Sequence, residues 1–305
     1  MGGGKILRKL LRRISHPSLL GADIRRLTVD LQADAVRLYA AYHHKRRSSG
    51  RIYKIRKRHC RMWLPISWGE TVALRRFGLF EPITFATLQR IVRPEFTVIE
   101  LGACYGEFTI EISRLVGPGG RVYSFEPFPK YFDIAQRNLT LNGIANVRLM
   151  NAAAGAEGVT ELPIDPSATD PYRYLDRISG LSYGERSRTA TSARPPAAAV
   201  PCVSLRSFIE DERLAPDLIF MDIEGCEVAV IPDLEALLRG HGRGPIVYFE
   251  LHSHYYRPGD FEHLQSLFRE SGYSMQRIGG HLLCLPPESE VLARAGVGLS
   301  NGAKS

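Results

Sequence analysis

The chain has 305 residues, 44% apolar and 24% charged, with a formal net charge of +8. That is room for one large α/β domain and an accessory segment, and no run of eighteen apolar residues is present to make a spanning helix. The charge is uneven: residues 1–62 hold 17 Lys and Arg against Asp23, Asp30 and Asp34, a net of +14, which leaves −6 for the remainder.

The start, MGGGKILRKLLRRI, has neither an apolar core nor a small-residue cleavage site, so no secretory signal is expected, and Ile6 stands where N-myristoylation needs Ser or Thr. Lys5 to Ile14 places Ile6, Leu7, Leu10, Leu11 and Ile14 on one helical face and five basic residues on the other. Such a stretch can lie on an anionic membrane surface or dock against the protein body. A second helical stripe follows from Ile24 to Leu38, and then the basic run from His43 to Trp63, with Tyr53 and Trp63 interleaved. No nucleic-acid module accompanies this charge, and nucleic acid is not the expected partner. The five cysteines are scattered and never CxxC, which reads as free thiols in a reducing compartment. The expected location is cytoplasmic, with peripheral contact at the inner membrane face through residues 5–14.

A helical pattern from Glu70 to Val92, broken near Phe80 to Pro82, leads into TVIELGACYGEFT (97–109). Thr97 to Leu101 reads as a buried parallel strand with Glu100 near its carboxyl end, and Ile110, Ile112 and Leu115 begin the apolar face of a helix. Gly102 and Gly106 leave backbone close to whatever fills the crevice between strand and helix. The spacing lacks the third glycine of a GxGxxG dinucleotide turn, and the acid beside it suits a ligand with a cationic amino-acid end better than a pyrophosphate.

Val122 to Phe125 is a second strand ending in Glu126, 26 residues after Glu100. In dinucleotide folds an acid about 20 residues on holds ribose hydroxyls. Tyr131 to Leu141 is a helix, and Val147 to Asn151 a strand running into AAAG, where small residues allow a flat base to lie against backbone. Val159 to Ile164 is a further strand, and residues 165–199 break the alternation as a polar insertion on the substrate side. Leu218 to Met221 is a buried strand ending in Asp222, Glu224 and Glu227, and PIVYFELHSHYY is another, whose end displays Glu250, His252 and His254 on one face if the strand extends that far. A helix from Glu262 to Ser271, an antiparallel pair (273–278 and 281–285) and a tail from 288 complete the chain.

In this order, FEP (80–82), ELGACYGEFT, VYSFEPFP, NLTLN, NAAAG, MDIEGCE and FELH resemble the FkbM family of S-adenosylmethionine-dependent methyltransferases, over roughly residues 78–285. The resemblance implies a Rossmann-like class I methyltransferase domain (76–287) with a mostly parallel seven-stranded sheet and an antiparallel terminal strand; it leaves the basic segment (1–75), expected to be helical from its own pattern, and the tail (288–305), expected to be flexible, unexplained. For most relatives it implies O-methylation of a sugar or polyketide hydroxyl. Residue by residue, it places Glu100, Gly102, Ala103 and Gly106 at the methionine end of the cofactor, Glu126 at the ribose, Ala152 or Ala153 at adenine, and Asp222 and Glu224 at the site mouth, with Thr109, Pro127 and Asp222 completing the expected cofactor-binding set. Glu224 and His254 fall on the substrate side. Cys104 departs from the usual Asn after GA, Glu100 from the commoner Asp, and Met221 precedes Asp222.

An alcohol acceptor needs a base, for which His252, Asp222 and Glu250 are the candidates, His252 first because an imidazole titrates near neutral pH. The bland alternative for His252 is a strand-end histidine bonded to Glu250. Asp222 and Glu250 could converge with a histidine on a divalent ion, but no metal-specific spacing is present and no metal is assigned. Two competing readings stay open: methylation of protein or nucleic acid gripped by the basic segment, and a non-catalytic binding module on the same fold.

Overall fold

The computed structural model describes residues 52–56, 60–65, 81–155, 160–164, 198–239, 244–252, 256 and 258–287. The expected helices at 5–14 and 24–38, nearly all of the insertion, His254 and the tail lie outside them. The chain divides into two compact units, residues 1–82 and 83–305. Among the described residues no helix is long and apolar enough to cross a membrane.

In the first unit, β1 (Ile52–Arg56) and β2 (Arg61–Pro65) pair antiparallel, with Ile52 opposite Pro65 and Arg56 opposite Arg61. This part of the basic segment is therefore a hairpin and not helix. Met62 and Leu64 alternate with Trp63 and are buried, the period-two pattern of a half-buried strand, which the density of Lys and Arg obscures in the sequence.

Helix α1 (Pro82–Ile91) starts at the last residue of the first unit, and the second unit then alternates strand and helix: β3 (Thr97–Leu101), α2 (Glu107–Val116), β4 (Arg121–Phe125), α3 (Pro129–Leu141) and β5 (Val147–Met150). After a small sheet come α4 (Leu205–Asp211), β9 (Leu218–Met221), a 3-10 turn (Glu227–Val230), α5 (Ile231–Leu238), β10 (Ile246–Glu250), α6 (Asp260–Glu270), β11 (Ser274–Ile278) and β12 (His281–Leu285). The main sheet has seven strands in the order β11-β12-β10-β9-β3-β4-β5. Strands β5, β4, β3, β9 and β10 are parallel, and β12 runs antiparallel to both β10 and β11. This is the expected class I methyltransferase sheet.

The central strands are uninterrupted apolar runs because both faces are covered: Leu218 to Met221 and Ile246 to Phe249 are fully or almost fully buried. The edge strand β11 carries Gln276 and Arg277 exposed, the polar edge that blocks pairing with another sheet. Connections from β3 lead away in one direction through β4 and β5, and β9 and β10 lie on the other side, so the order reverses between β3 and β9. A crevice at the carboxyl ends of the strands forms at such a reversal. Gly102 follows β3 there, and Asp222 follows β9.

The small sheet contains β6 (Ala153–Gly155), β7 (Glu161–Ile164) and β8 (Ala198–Ser204), with β8 in the middle, parallel to β6 and antiparallel to β7. The last three residues of AAAG are thus a strand whose Ala153 faces Cys202, not an open turn. Ser204 ends β8 and caps α4, its Oγ accepting from the Ser207 backbone N–H at 3.1 Å.

Candidate active site

The turn after β3 is built on left-handed backbone. Gly102, Cys104 and Gly106 have φ of 95°, 49° and 78°. A Cβ on Gly102 would stand 2.0 Å from the carbonyl oxygen of Asp222, so only glycine lets the ends of β3 and β9 come this close. Gly106 is the N-cap of α2, and Asn138 on α3 donates to the Tyr105 carbonyl at 2.8 Å, holding the turn from the far side.

Two buried carboxylates flank the turn. Glu100 is wholly buried; its Oε2 accepts from the hydroxyls of Thr109, at 2.7 Å, and Ser124, and its Oε1 has no hydrogen-bond partner among the described residues. Glu126 accepts from the backbone N–H of Cys104 at 2.7 Å and of Phe128 at 2.9 Å, so its side chain is folded onto the glycine turn. Neither carboxylate has a cationic partner among the described residues. Burial pushes Glu100 up to about 7 against the pull of its two hydroxyl donors, and burial pushes Glu126 up to about 8, with the nearby Glu100 charge adding to it.

On the β9 side, acids gather around one imidazole. His252 is 6% exposed, and its Nδ1 lies 2.9 Å from Oε1 of the fully buried Glu227. Glu227 Oε1 also accepts from the N–H groups of Ile223 and Gly225, and its Oε2 accepts from the Tyr256 hydroxyl at 3.1 Å. The other ring nitrogen, Nε2, faces Glu224 at 3.4 Å, Glu250 at 3.7 Å and Asp222 at 3.9 Å. Burial pulls the imidazole down, but the Glu227 hydrogen bond and charge, followed by Glu224 and Asp222, outweigh it and hold His252 up at about 9.

Residues 100–275 match the methyltransferase FkbM domain. The chain belongs to the FkbM methyltransferase family. Over 95 residues it is also 36% identical to the tRNA (adenine(58)-N(1))-methyltransferase catalytic subunit TRM61 of Cryptococcus neoformans, covering 31% of this chain and 22% of that protein. A protein-L-isoaspartate O-methyltransferase of Aeropyrum pernix is 29% identical over 103 residues, covering 32% of this chain and 36% of that protein. This FkbM methyltransferase therefore spans only a minor part of the length of either relative. Among solved structures, a ribosomal protein L11 methylase from Lactobacillus delbrueckii subsp. bulgaricus is 14% identical, with a TM-score of 0.38, covering 76% of this chain and 96% of that one.

The cofactor of an FkbM methyltransferase is S-adenosylmethionine, and the turn fits it. The ligand carries an ammonium and a sulfonium, and the protein offers a buried carboxylate with an unpartnered oxygen, a second carboxylate without a counter-charge, and a backbone stripped of Cβ at the closest approach. The two oxygens of Glu126 each take one N–H and keep a lone pair for a ribose hydroxyl.

In this FkbM chain the expected cofactor residues lie on β3 and on the segments that follow β3, β4 and β5, with Asp222 after β9. Ala103 is buried in the turn, Thr109 reaches the motif through Glu100, and the Pro127 carbonyl is tied to β5 by the Asn151 amide at 3.0 Å. Ala152 and Ala153 are buried, and Ala152 belongs to the apolar core. Asp222, Glu224, Glu250 and His252 converge, but not as alternation predicted: β10 stops at Glu250, and His252 follows in a loop. The imidazole's hydrogen bond goes to Glu227 and not to Glu250. At about 9 it also carries its proton at neutral pH, against the expectation of a group titrating there. Glu227 and Tyr256 had no sequence-assigned role. The sequence marks Glu227 only as the third acid after the Leu218 to Met221 strand, with nothing local to tie it to His252.

Proposed function

We propose that this FkbM methyltransferase methylates a hydroxyl of a sugar, glycan or related small molecule. The observation that carries the reading is the double position of Asp222. Its backbone carbonyl lies against Gly102 of the cofactor turn, and its carboxylate lies in the acidic group around His252. When bound, S-adenosylmethionine supplies a methyl group on a positively charged sulfur. Glu100, Gly102, Ala103, Gly106 and Thr109 are assigned to hold or support its methionine end, Glu126 and Pro127 its ribose, and Ala152 and Ala153 its base.

Asp222, Glu250 and His252 are assigned to the acceptor's hydroxyl: the carboxylates take its proton and His252, protonated at neutral pH, steadies their charge, with Glu224 and His254 on the substrate side. Several acceptor oxygens in one place suit a polyhydroxylated molecule, whose hydroxyls donate to carboxylates. They repel a phosphate backbone, which speaks against a nucleic-acid acceptor. The basic amphipathic stretch 5–14 is assigned peripheral contact with an anionic membrane, from the cytoplasmic side. Binding of the full chain to anionic but not neutral vesicles, lost on deleting residues 1–14, is the expected result for that contact.

The test of the acceptor is incubation of the full chain with methyl-labelled S-adenosylmethionine and, separately, sugars, lipid-linked glycans, tRNA and protein. Labelled O-methyl ethers in the carbohydrate samples are expected. Label confined to tRNA or protein would overturn the reading.

A further inference from the structure

We propose that Asp222, Glu250 and His252 form a binding site for a divalent transition-metal cation such as Mn2+. The inference deepens the hydroxyl-methylation reading and rests on it for the cation's purpose, but not for its binding. One ligand atom from each of the three lies within 4.8 Å of the others. His252 Nε2 is 3.7 Å from Glu250 Oε2 and 3.9 Å from Asp222 Oδ1, beyond ordinary hydrogen-bond length. Donors held at about 2.1 Å from one cation stand about 3.0 Å apart when adjacent in an octahedron and about 4.2 Å apart across it. The two separations from Nε2 fall inside that range.

The cluster differs from an acidic surface patch in what lies at its centre. The imidazole is buried, and the fully buried Glu227 fixes its Nδ1, so Nε2 points toward the carboxylates. Metal-bound histidines characteristically have this outer carboxylate on the second ring nitrogen. Two of the three donors stand at the ends of β9 and β10, neighbouring central strands paired at Met221 and Phe249, which sets their spacing by the sheet and not by loops. One nitrogen and two carboxylate donors suit Mn2+, Fe2+ or Zn2+ better than Ca2+.

Asp222 and Glu250 side chains are 22% and 27% exposed, so the site is open on one side. An acceptor hydroxyl entering there would bind the cation through its oxygen. Cation binding displaces the Nε2 proton of His252 to solvent; the bound cation then lowers the hydroxyl's pKa, the O–H bond breaks, and, with Asp222, Glu250 and His252 occupied as ligands, the proton passes to the carboxylate of Glu224, which lies 3.4 Å from Nε2.

The test uses the full chain, stripped with EDTA, dialysed and titrated with Mn2+ while free Mn2+ is followed by electron paramagnetic resonance. One Mn2+ per chain is expected, with Glu250→Gln and His252→Gln each weakening binding at least about 30-fold, and Glu227→Gln by about 10-fold, at unchanged circular dichroism. Absence of stoichiometric binding of both Mn2+ and Zn2+, or binding untouched by Glu250→Gln and His252→Gln, would overturn the site. Sugar methylation by metal-free protein that binds no cation would overturn it while leaving the acceptor reading intact. Tight binding abolished by the variants, in a protein that methylates no hydroxyl, would uphold the site and end the acceptor reading.

Discussion

Gly102 and Asp222 meet backbone to backbone: a Cβ on the glycine would sit 2.0 Å from the aspartate's carbonyl oxygen. This contact joins the cofactor turn after β3 to the acid-rich end of β9. It makes Gly102 a site where the smallest substitution has a large effect.

Gly102→Ala must relieve both that overlap and a φ of 95°. A loss of about 3 kcal/mol or more in urea unfolding is expected, with S-adenosylmethionine binding lost in calorimetry. Gly143→Ala is the control. Its φ is also positive, 65°, but nothing lies within 4 Å of the added Cβ, so about 1 kcal/mol and normal cofactor binding are expected.

Cys104 adopts φ of 49° in the same turn, a conformation asparagine tolerates better than most side chains. Cys104→Asn should raise stability by about 0.5 kcal/mol, while the β-branched Cys104→Val should lower it by about 1–2 kcal/mol. Thermal unfolding of the three proteins at one pH checks the order Asn, Cys, Val.

Glu100 and Glu126 titrate at about 7 and about 8 in the folded chain, well above the value of 4.5 for a free glutamate. The folded state therefore binds more protons than the unfolded state between these limits. Their contribution to stability is complete below about pH 4.5 and is lost as pH rises through 7 to 8. The groups facing them are the Thr109 and Ser124 hydroxyls, the Cys104 and Phe128 amides, and each other. A cationic ligand favours both carboxylates in their charged form. S-adenosylmethionine should therefore release protons on binding at pH 7, seen as a buffer-dependent heat, and the release should shrink in Glu126→Gln.

Glu227→Ala would leave the buried His252 ring and the Tyr256 hydroxyl without their shared acceptor. About 3 kcal/mol of destabilisation is expected. The isosteric Glu227→Gln should fold, lower kcat by about 10-fold to 100-fold and leave the KM for S-adenosylmethionine unchanged, because Glu227 is bonded to His252, Tyr256 and the 223–225 backbone and to no residue of the turn after β3. A parallel rise in that KM would place Glu227 with the cofactor instead.

The elements legible in the sequence are those whose burial is local. TVIEL, LIFM and IVYFE are apolar runs because they are central parallel strands, and glycine spacing marks the turn after the first of them. The strand-end acids Glu126, Asp222 and Glu250 were visible for the same reason. What was not legible depends on partners distant along the chain. Glu227 is one of three acids after a buried strand and has no partner in view until the fold brings in His252, 25 residues away. Ala153 to Gly155 resembles a turn until β8 arrives to pair with it. The hairpin at 52–65 was hidden because its alternation runs through Lys and Arg, whose density reads first as a charged face.

The central claim is that the acids around His252 serve a hydroxyl beside the cofactor turn. The most direct measurement is carbon-13 NMR of the product formed from methyl-labelled S-adenosylmethionine and a carbohydrate acceptor. A methyl resonance in the methoxy range, lost with Asp222→Asn and with His252→Ala, is the predicted result. A label found only on nitrogen, or a methoxy signal undiminished in both variants, would contradict it.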